Sequence, residues 1–208
     1  MTIKNLSLPL SERLIQAGME ILLSGEPLTL RGAAARAGVS HGAPAHHFDG
    51  LSGLQTAIAT KAFRDFGKLL RDALNQPVAA DHPEPARERL RNLGRAYCHF
   101  AQHQGALFDL MFLKTDVDHD NADLVSAMGY AYEPLRTATA PFIKGRDRNM
   151  IETVIWCVAH GYAVLGCAER VNGLPPPFGA PSLDDLMQAM SVMDILQPAE
   201  PAATDQTS

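Results

Sequence analysis

The segment Leu28–Leu54 predicts two short helices joined by a tight glycine turn. Thr29 is placed to cap the first helix, and Gly38 is placed to end it because glycine adopts the left-handed conformation at low cost. We predict the second helix over Ser40–Phe48, capped by the serine, with Pro44 near its first turn, where an amide hydrogen has no helical partner. Two small helices arranged in this way are typical of a unit that places one helix in the DNA major groove.

The composition predicts an all-α protein. Of the 208 residues, 46% are apolar, with abundant Ala and Leu and few β-branched runs. The net charge of −5 argues against a protein that binds nucleic acid mainly through a broad basic surface. Residues 1–54 contain four Lys or Arg and four Asp or Glu, so a DNA-binding segment in this region would have no net charge.

The chain divides into two predicted domains and a tail. We expect an N-terminal three-helix helix-turn-helix domain over residues 1–55, followed by a larger helical domain over 75–197. A helix over about 51–74 connects them, and the Pro-rich stretch 75–85 marks the boundary. Residues 198–208 form a short polar tail that we expect to be disordered.

Helical spacing of apolar residues predicts the elements of the second domain. The expected helices cover about 90–101, 105–113, 121–140, 147–172 and 183–195. The helix over 147–172 is apolar all round, which predicts burial of both faces.

The first 60 residues resemble the DNA-binding domain of TetR-type transcriptional regulators. The matching positions are Arg13 and Ala17, then Leu28-Thr29-Leu30-Arg31, Ala37-Gly38-Val39-Ser40, His47-Phe48 and Leu54. The resemblance implies that the second short helix reads DNA while His47 is structural. The residues expected to contact DNA are Thr29, Arg31, Ser40, His41, Gly42, Ala43, His46 and Lys61. For Arg31, His41 and His46, an ordinary solvated side chain is the alternative.

Two positions depart from the family pattern. Members usually carry a tyrosine where this chain has Ala45 and a lysine where it has Leu51, and both residues commonly contact phosphates. Their absence predicts weaker binding with a smaller salt dependence. His46, or Lys61 and Arg64, are candidates to compensate.

The segment Trp156–Gly161 resembles the Trp-x-x-x-His-Gly signature of one TetR subgroup. The subgroup implies a homodimer built from the last two long helices, with a small-molecule cavity inside each C-terminal domain. Gly161 would then let another helix approach closely. The residues expected to line the cavity are Phe108, Met111, Phe112, Met128, Tyr132, Trp156 and His160. Equally, these side chains could be ordinary core, with His160 making one buried hydrogen bond.

Other functional classes are weaker interpretations of the sequence. Cys98, His99 and His103 raise the possibility of a metal sensor, but the histidines share a polar helix face, which favours solvation. The acidic stretch 116–123 lacks the Gly and terminal Glu of a calcium loop, so we expect a solvated loop. No phosphate loop, nucleophile elbow or HExxH motif indicates an enzyme. A helical interaction protein with little DNA binding is the remaining alternative.

We therefore predict a cytoplasmic, homodimeric repressor without a cofactor or membrane span. It would bind a near-palindromic operator in double-stranded DNA and release it when a small-molecule inducer binds the C-terminal domain.

Overall fold

In the computed structural model, residues 8–114, 116–143, 145–165 and 182–192 are described, and these form eight α-helices and no strand. The helices are α1 (Leu10–Leu23), α2 (Leu30–Ala37), α3 (Gly50–Leu74), α4 (Pro85–His103), α5 (Gly105–Phe112), α6 (Ala122–Ile143), α7 (Arg148–Leu165) and α8 (Leu183–Val192). The all-α prediction is confirmed. Residues 166–172 of the predicted long helix, residues 193–197 and the tail 198–208 lie outside the described residues.

The chain forms two compact units. Unit 1 comprises residues 1–69 and 100–132, and unit 2 comprises residues 70–99 and 133–208. The change from one to the other at Leu69 and Leu70 lies within α3, close to the predicted boundary at 75–85.

The core of unit 1 is built from the apolar faces that the helical spacing predicted. Leu14 and Ile21 of α1 are buried, and α1 packs against both α2 and α5. The α3 stripe of Leu54, Ile58, Ala62 and Phe66 is buried as well. Gly18 makes the close approach of α1 to α3 possible, because a Cβ added there would overlap the Ile58 side chain.

Apolar packing and an ion pair with a buried carboxylate hold the described part of unit 2 together. Leu183 of α8 packs against α4 at Gly94, where an added Cβ would lie 3.0 Å from the leucine. Glu152 of α7 is only 2% exposed and accepts hydrogen bonds from Arg148 at 2.8 Å and from Thr139 at 3.3 Å. The carboxylate therefore joins α6 and α7 through a compensated charge.

The prediction that helix 147–172 is buried on both faces is wrong for the described part, α7. Ile151, Ile155 and Ala159 are buried, but Met150 is 61% exposed and Leu165 is 68% exposed. Apolar periodicity identifies a face that favours burial, but it does not say whether the same chain covers that face.

Candidate nucleic-acid interface

Helix α2 begins and ends where the local sequence predicted. The Thr29 hydroxyl accepts a hydrogen bond from the Gly32 amide at 2.9 Å, which satisfies one of the unpaired donors at the helix N-terminus. Gly38 ends the helix with φ of +69°, and the Val39 amide donates back to the Ala34 carbonyl at 3.0 Å. This is a C-terminal cap that glycine favours.

The predicted second helix over Ser40–Phe48 is wrong in extent and in type. A 3₁₀ turn over Ala43–His46 takes its place, preceded by Gly42 rather than by a capping Ser40. Pro44 lies at the start of this turn, as predicted, and its side chain is buried. The segment is too short for helical propensity to stabilise it, and it has no side-chain cap. Its conformation is therefore fixed by the packing of the buried proline.

Arg13 fixes the end of α2, a role that the sequence did not reveal. Its guanidinium donates a hydrogen bond to the Ala37 carbonyl at 2.6 Å, across 24 residues of chain. The last carbonyls of a helix lack helical donors and carry partial negative charge, so a cation there is favourable. Arg13 matched the family pattern, but sequence spacing cannot identify a carbonyl acceptor.

The predicted DNA-contacting residues from Thr29 to His46 lie on α2, on the 3₁₀ turn and on the residues next to them. The two elements contact each other, so these residues are close in space. Six of them are exposed and Ala43 is half-buried; the exposed ones are Thr29, Arg31, Ser40, His41, Gly42 and His46. Lys61 is exposed too, but it lies on α3, about 16 Å along the helix from Gly50 at 1.5 Å per residue. The structure therefore brings most of the set together and leaves Lys61 apart.

The backbone of this surface offers unpaired donors. Within the part of the chain that is described, the amides of Ser40, His41 and Gly42 have no backbone acceptor. The same holds for the amides of Leu30 and Arg31 in the first turn of α2. Exposed amides at the start of a helix or turn are suited to bind phosphate oxygens.

The side-chain cations of α2 and of the middle of α3 are mostly engaged. Arg36 pairs with Glu26 at 2.7 Å, Lys61 pairs with Asp65, and Arg64 lies 3.8 Å from Asp123. Arg31 is exposed and makes no ion pair with any described residue. It is therefore the cation best placed to meet a phosphate without first leaving a carboxylate.

The two departures from the family pattern both lie on the surface. Ala45 is exposed within the 3₁₀ turn, and Leu51 is 36% exposed in the first turn of α3. Neither side chain can donate a hydrogen bond, so the surface lacks a donor at these two positions.

The segment that follows α5 is bound to α3 and is not a freely solvated loop. The Ser52 hydroxyl donates to the Asp116 carbonyl at 2.6 Å, and the Asp118 amide donates to the Thr56 hydroxyl at 3.0 Å. Val117 is buried between these bonds along the chain. A cleft of about 630 Å³ lies beside this segment and is also lined by Phe48.

The predicted ligand-lining residues of unit 1 occupy two environments. Phe108 and Met111 are buried, and the Phe108 and Phe112 ring centroids lie 4.8 Å apart in an aromatic group. Met128 and Tyr132 of α6 are each 39% exposed.

In unit 2, Trp156 and His160 lie together, with ring centroids 6.0 Å apart, and share a partner that the sequence did not indicate. The Trp156 Nε1 donates to the Tyr97 hydroxyl oxygen at 3.4 Å, and that hydroxyl lies 2.8 Å from His160 Nδ1. We assign the hydroxyl proton to the bond with Nδ1, which makes the imidazole the neutral tautomer with its proton on Nε2. Burial lowers the pKa of His160 and raises that of Tyr97, which keeps both groups uncharged.

Residues 90–190 match the family described as "Tetracyclin repressor-like, C-terminal domain". This match assigns the C-terminal region to a family. Residues 90–190 are a TetR-like C-terminal domain. The description of the matched family does not name the Trp-x-x-x-His-Gly subgroup, which stays a prediction. No curated protein matches the sequence.

Solved structures share the fold of this chain along nearly its whole length. A protein of unknown function from Rhodococcus sp. RHA1 is 26% identical, with a TM-score of 0.69, covering 93% of this chain and 97% of the other. The TetR family regulator PfmR from Thermus thermophilus is 16% identical, with a TM-score of 0.56 and coverages of 91% and 96%. The multidrug binding protein EbrR, solved with imidazole, is 17% identical, with a TM-score of 0.58 and coverages of 96% and 100%.

Neither a metal centre nor a membrane span is found among the described residues of the chain. Within those ranges, no group of three or more His, Cys, Asp or Glu side chains is placed to hold a metal ion. His99 and His103 are both exposed on α4. None of the described helices is both long enough and apolar enough to cross a bilayer.

Proposed function

We propose that this regulator represses transcription by binding a near-palindromic operator as a homodimer, and that a small molecule bound by the C-terminal domain releases it. The observation that carries the DNA-binding part is the continuous exposed surface of α2 and the 3₁₀ turn. Family membership supports the dimer and the ligand, and EbrR, which shares the fold, is described as a multidrug binding protein.

Phosphate contacts would come chiefly from backbone amides and from Arg31. The amides of Ser40, His41 and Gly42 are exposed donors, and Arg31 is a cation without a carboxylate partner among the described residues. Amide contacts release no counterions, so the salt dependence of operator binding should be small for a regulator of this size.

Base contacts would come from the 3₁₀ turn and the residues that precede it. Ser40, His41 and His46 carry exposed polar groups that can reach base edges, and Gly42 leaves room for the groove wall. Ala43 would contact a base or sugar through its methyl group.

Gly42 provides the test of this surface. Its φ is −83°, and an added Cβ would meet no atom within 4 Å, so Gly42→Leu should fold like the wild type. A leucine there would occupy the space needed for DNA, and operator affinity should fall by at least about tenfold. Gly129→Leu is the matched control, since Gly129 on α6 also has open space around it and lies outside the proposed surface.

The operator can be selected from a random duplex library with the full-length protein, and affinity can be measured by fluorescence anisotropy. In the same assay, Arg31→Gln should reduce the slope of log K against log salt by about 0.9, the value for one phosphate contact. Wild-type affinity in Gly42→Leu, together with an unchanged slope in Arg31→Gln, would reject this surface as the DNA contact.

The dimer would form through the exposed apolar face of α7. Met150, Cys157 and Leu165 are exposed, and Gly161 lies on the same helix side with no atom within 4 Å of an added Cβ. A second copy could approach closely at this glycine. Gly161→Leu should leave the fold intact and shift the sedimentation coefficient toward the monomer, whereas Gly129→Leu should not.

The ligand part of the proposal concerns the residues predicted to line the cavity. Trp156 is the single tryptophan of the chain and is 42% exposed beside His160. A compound that binds there should change the tryptophan emission and lower operator affinity together. Compounds that change the emission without releasing DNA would contradict the inducer role of that site.

A further inference from the structure

A cavity of about 490 Å³ in unit 2 lies apart from every residue in the predicted DNA and ligand sets. It forms where the end of α3 and the loop after it meet the first turns of α4 and the second half of α6. Its volume falls within the range of small-molecule sites. Apolar side chains supply much of its wall, namely Leu74, Pro77, Val78, Ala138 and Pro141.

Among the described residues that line the cavity, Arg89 is the one that is charged, and none carries a carboxylate. Helix α4 carries four arginines, and three of them pair with a carboxylate: Arg87 with Glu84, Arg91 with Glu88, and Arg95 with both Glu88 and Asp184. Arg89 makes no ion pair within the described part of the chain. The carboxylates near the start of α4 are thus already occupied, and the charge that faces the cavity is positive.

A second donor for an anion lies one turn earlier. Ala86 lines the cavity in the first turn of α4, and its amide has no backbone acceptor among the described residues. The preceding residue, Pro85, has no amide hydrogen. The positive end of a 19-residue helix dipole therefore adds to the field of Arg89. The side-chain amides of Asn75 and Gln76 add neutral hydrogen-bonding groups.

We propose that this cavity binds a small organic carboxylate with an apolar body. The carboxylate would accept hydrogen bonds from the Arg89 guanidinium and the Ala86 amide, and the hydrocarbon part would pack against Leu74, Val78 and Ala138. The positive charge of Arg89 disfavours ammonium ligands. The apolar wall disfavours a compact dianion such as phosphate, because the dianion would lose its hydration without enough cations to replace it. The site does not depend on the proposed DNA-binding function.

The experiment is isothermal titration of the full-length protein with hexanoate, at concentrations up to about 10 mM, where a fragment of this size is expected to bind. Hexylammonium and hexanol, which keep the chain length and change the head group, are the comparison ligands. Hexanoate should bind to the wild type, and the other two should bind at least about tenfold more weakly.

Variants then assign the site. Arg89→Gln should weaken hexanoate binding by at least about tenfold. Arg136→Gln removes the same charge from an exposed position of α6 outside the lining, and should leave binding unchanged. Val78→Trp keeps every charge but fills the cavity from its loop side, and should abolish binding. No hexanoate binding to the wild type, binding to Arg89→Gln within about twofold of the wild type, or equal binding of hexylammonium would each overturn the proposal.

Discussion

Acid should break the hydrogen bond between Tyr97 and His160, and the loss should be visible in the emission of Trp156. The Tyr97 hydroxyl donates to Nδ1 of a neutral imidazole over 2.8 Å, and a proton on Nδ1 would remove that acceptor. Burial lowers the pKa of His160 below its ordinary 6.5, so the folded protein resists a protonation that the unfolded chain undergoes. The stabilisation is complete above about pH 6.5 and is lost as the pH falls through the folded-state pKa.

The variant Tyr97→Phe measures how much the tyrosine hydroxyl contributes to the free energy of unfolding. The tyrosine is 7% exposed, and its hydroxyl forms hydrogen bonds with the indole and with the imidazole. Both partners are partly exposed, so water can replace the lost bonds, and the cost should be about 1 kcal/mol at neutral pH. For a chain of this size, that corresponds to a fall in Tm of about 2–4 °C. The variant also frees Nδ1, so the pKa of His160 should move up toward its ordinary value.

The assay is tryptophan emission as a function of pH, combined with urea unfolding at about pH 7.5 and pH 5.5. Trp156 is the only tryptophan, and an imidazolium this close should quench it. Quenching should begin at higher pH in Tyr97→Phe than in the wild type and should vanish in His160→Gln. Tyr162→Phe removes a hydroxyl from another position and should titrate like the wild type. Identical titrations in the wild type and Tyr97→Phe, or quenching that persists in His160→Gln, would refute the assignment.

Three further variants test how the helices are held. Thr29→Ala should lower the free energy of unfolding by about 1 kcal/mol through loss of the N-cap, and Thr29→Ser should restore most of it in urea denaturation. Arg148→Met should cost about 2–3 kcal/mol because the buried Glu152 carboxylate loses the Arg148 guanidinium, and the double variant Arg148→Met/Glu152→Leu should recover stability; a double variant no better than the single would contradict a charge effect. Gly67→Ala should lower Tm measurably, since the new Cβ would lie 2.6 Å from the Tyr130 ring and 2.9 Å from the α6 backbone, and an unchanged Tm would show that the contact relaxes freely.

The predictions that held concern features that depend on residues close together in the sequence. The start of α2 at Thr29 and its end at Gly38 follow from a cap and a left-handed glycine, each acting within four residues. The apolar stripe of α3 predicted which side chains are buried, because helical spacing alone places them on one face.

The predictions that failed concern segments where local preference is weak. Residues 40–48 contain the cap and proline signals of a helix, yet they form only a 3₁₀ turn over Ala43–His46. A segment so short gains little from helix propagation, so the burial of Pro44 decides its geometry. The prediction that both faces of α7 are buried failed for a related reason. An apolar face favours contact with another surface, but it does not show whether that surface belongs to the same chain.

The sequence by itself determined where most helices begin and end, which faces favour burial, and which family the reading segment resembles. Only the tertiary structure decided that Arg13 caps α2 at Ala37, that Tyr97 joins Trp156 to His160, and that Arg89 faces a cavity whose described lining holds no carboxylate. The physical reason is the separation along the chain over which each interaction acts. Caps, turns and helical periodicity act within a few residues, whereas these contacts join groups 24 to 63 residues apart, and their pairing depends on the packing of the whole unit.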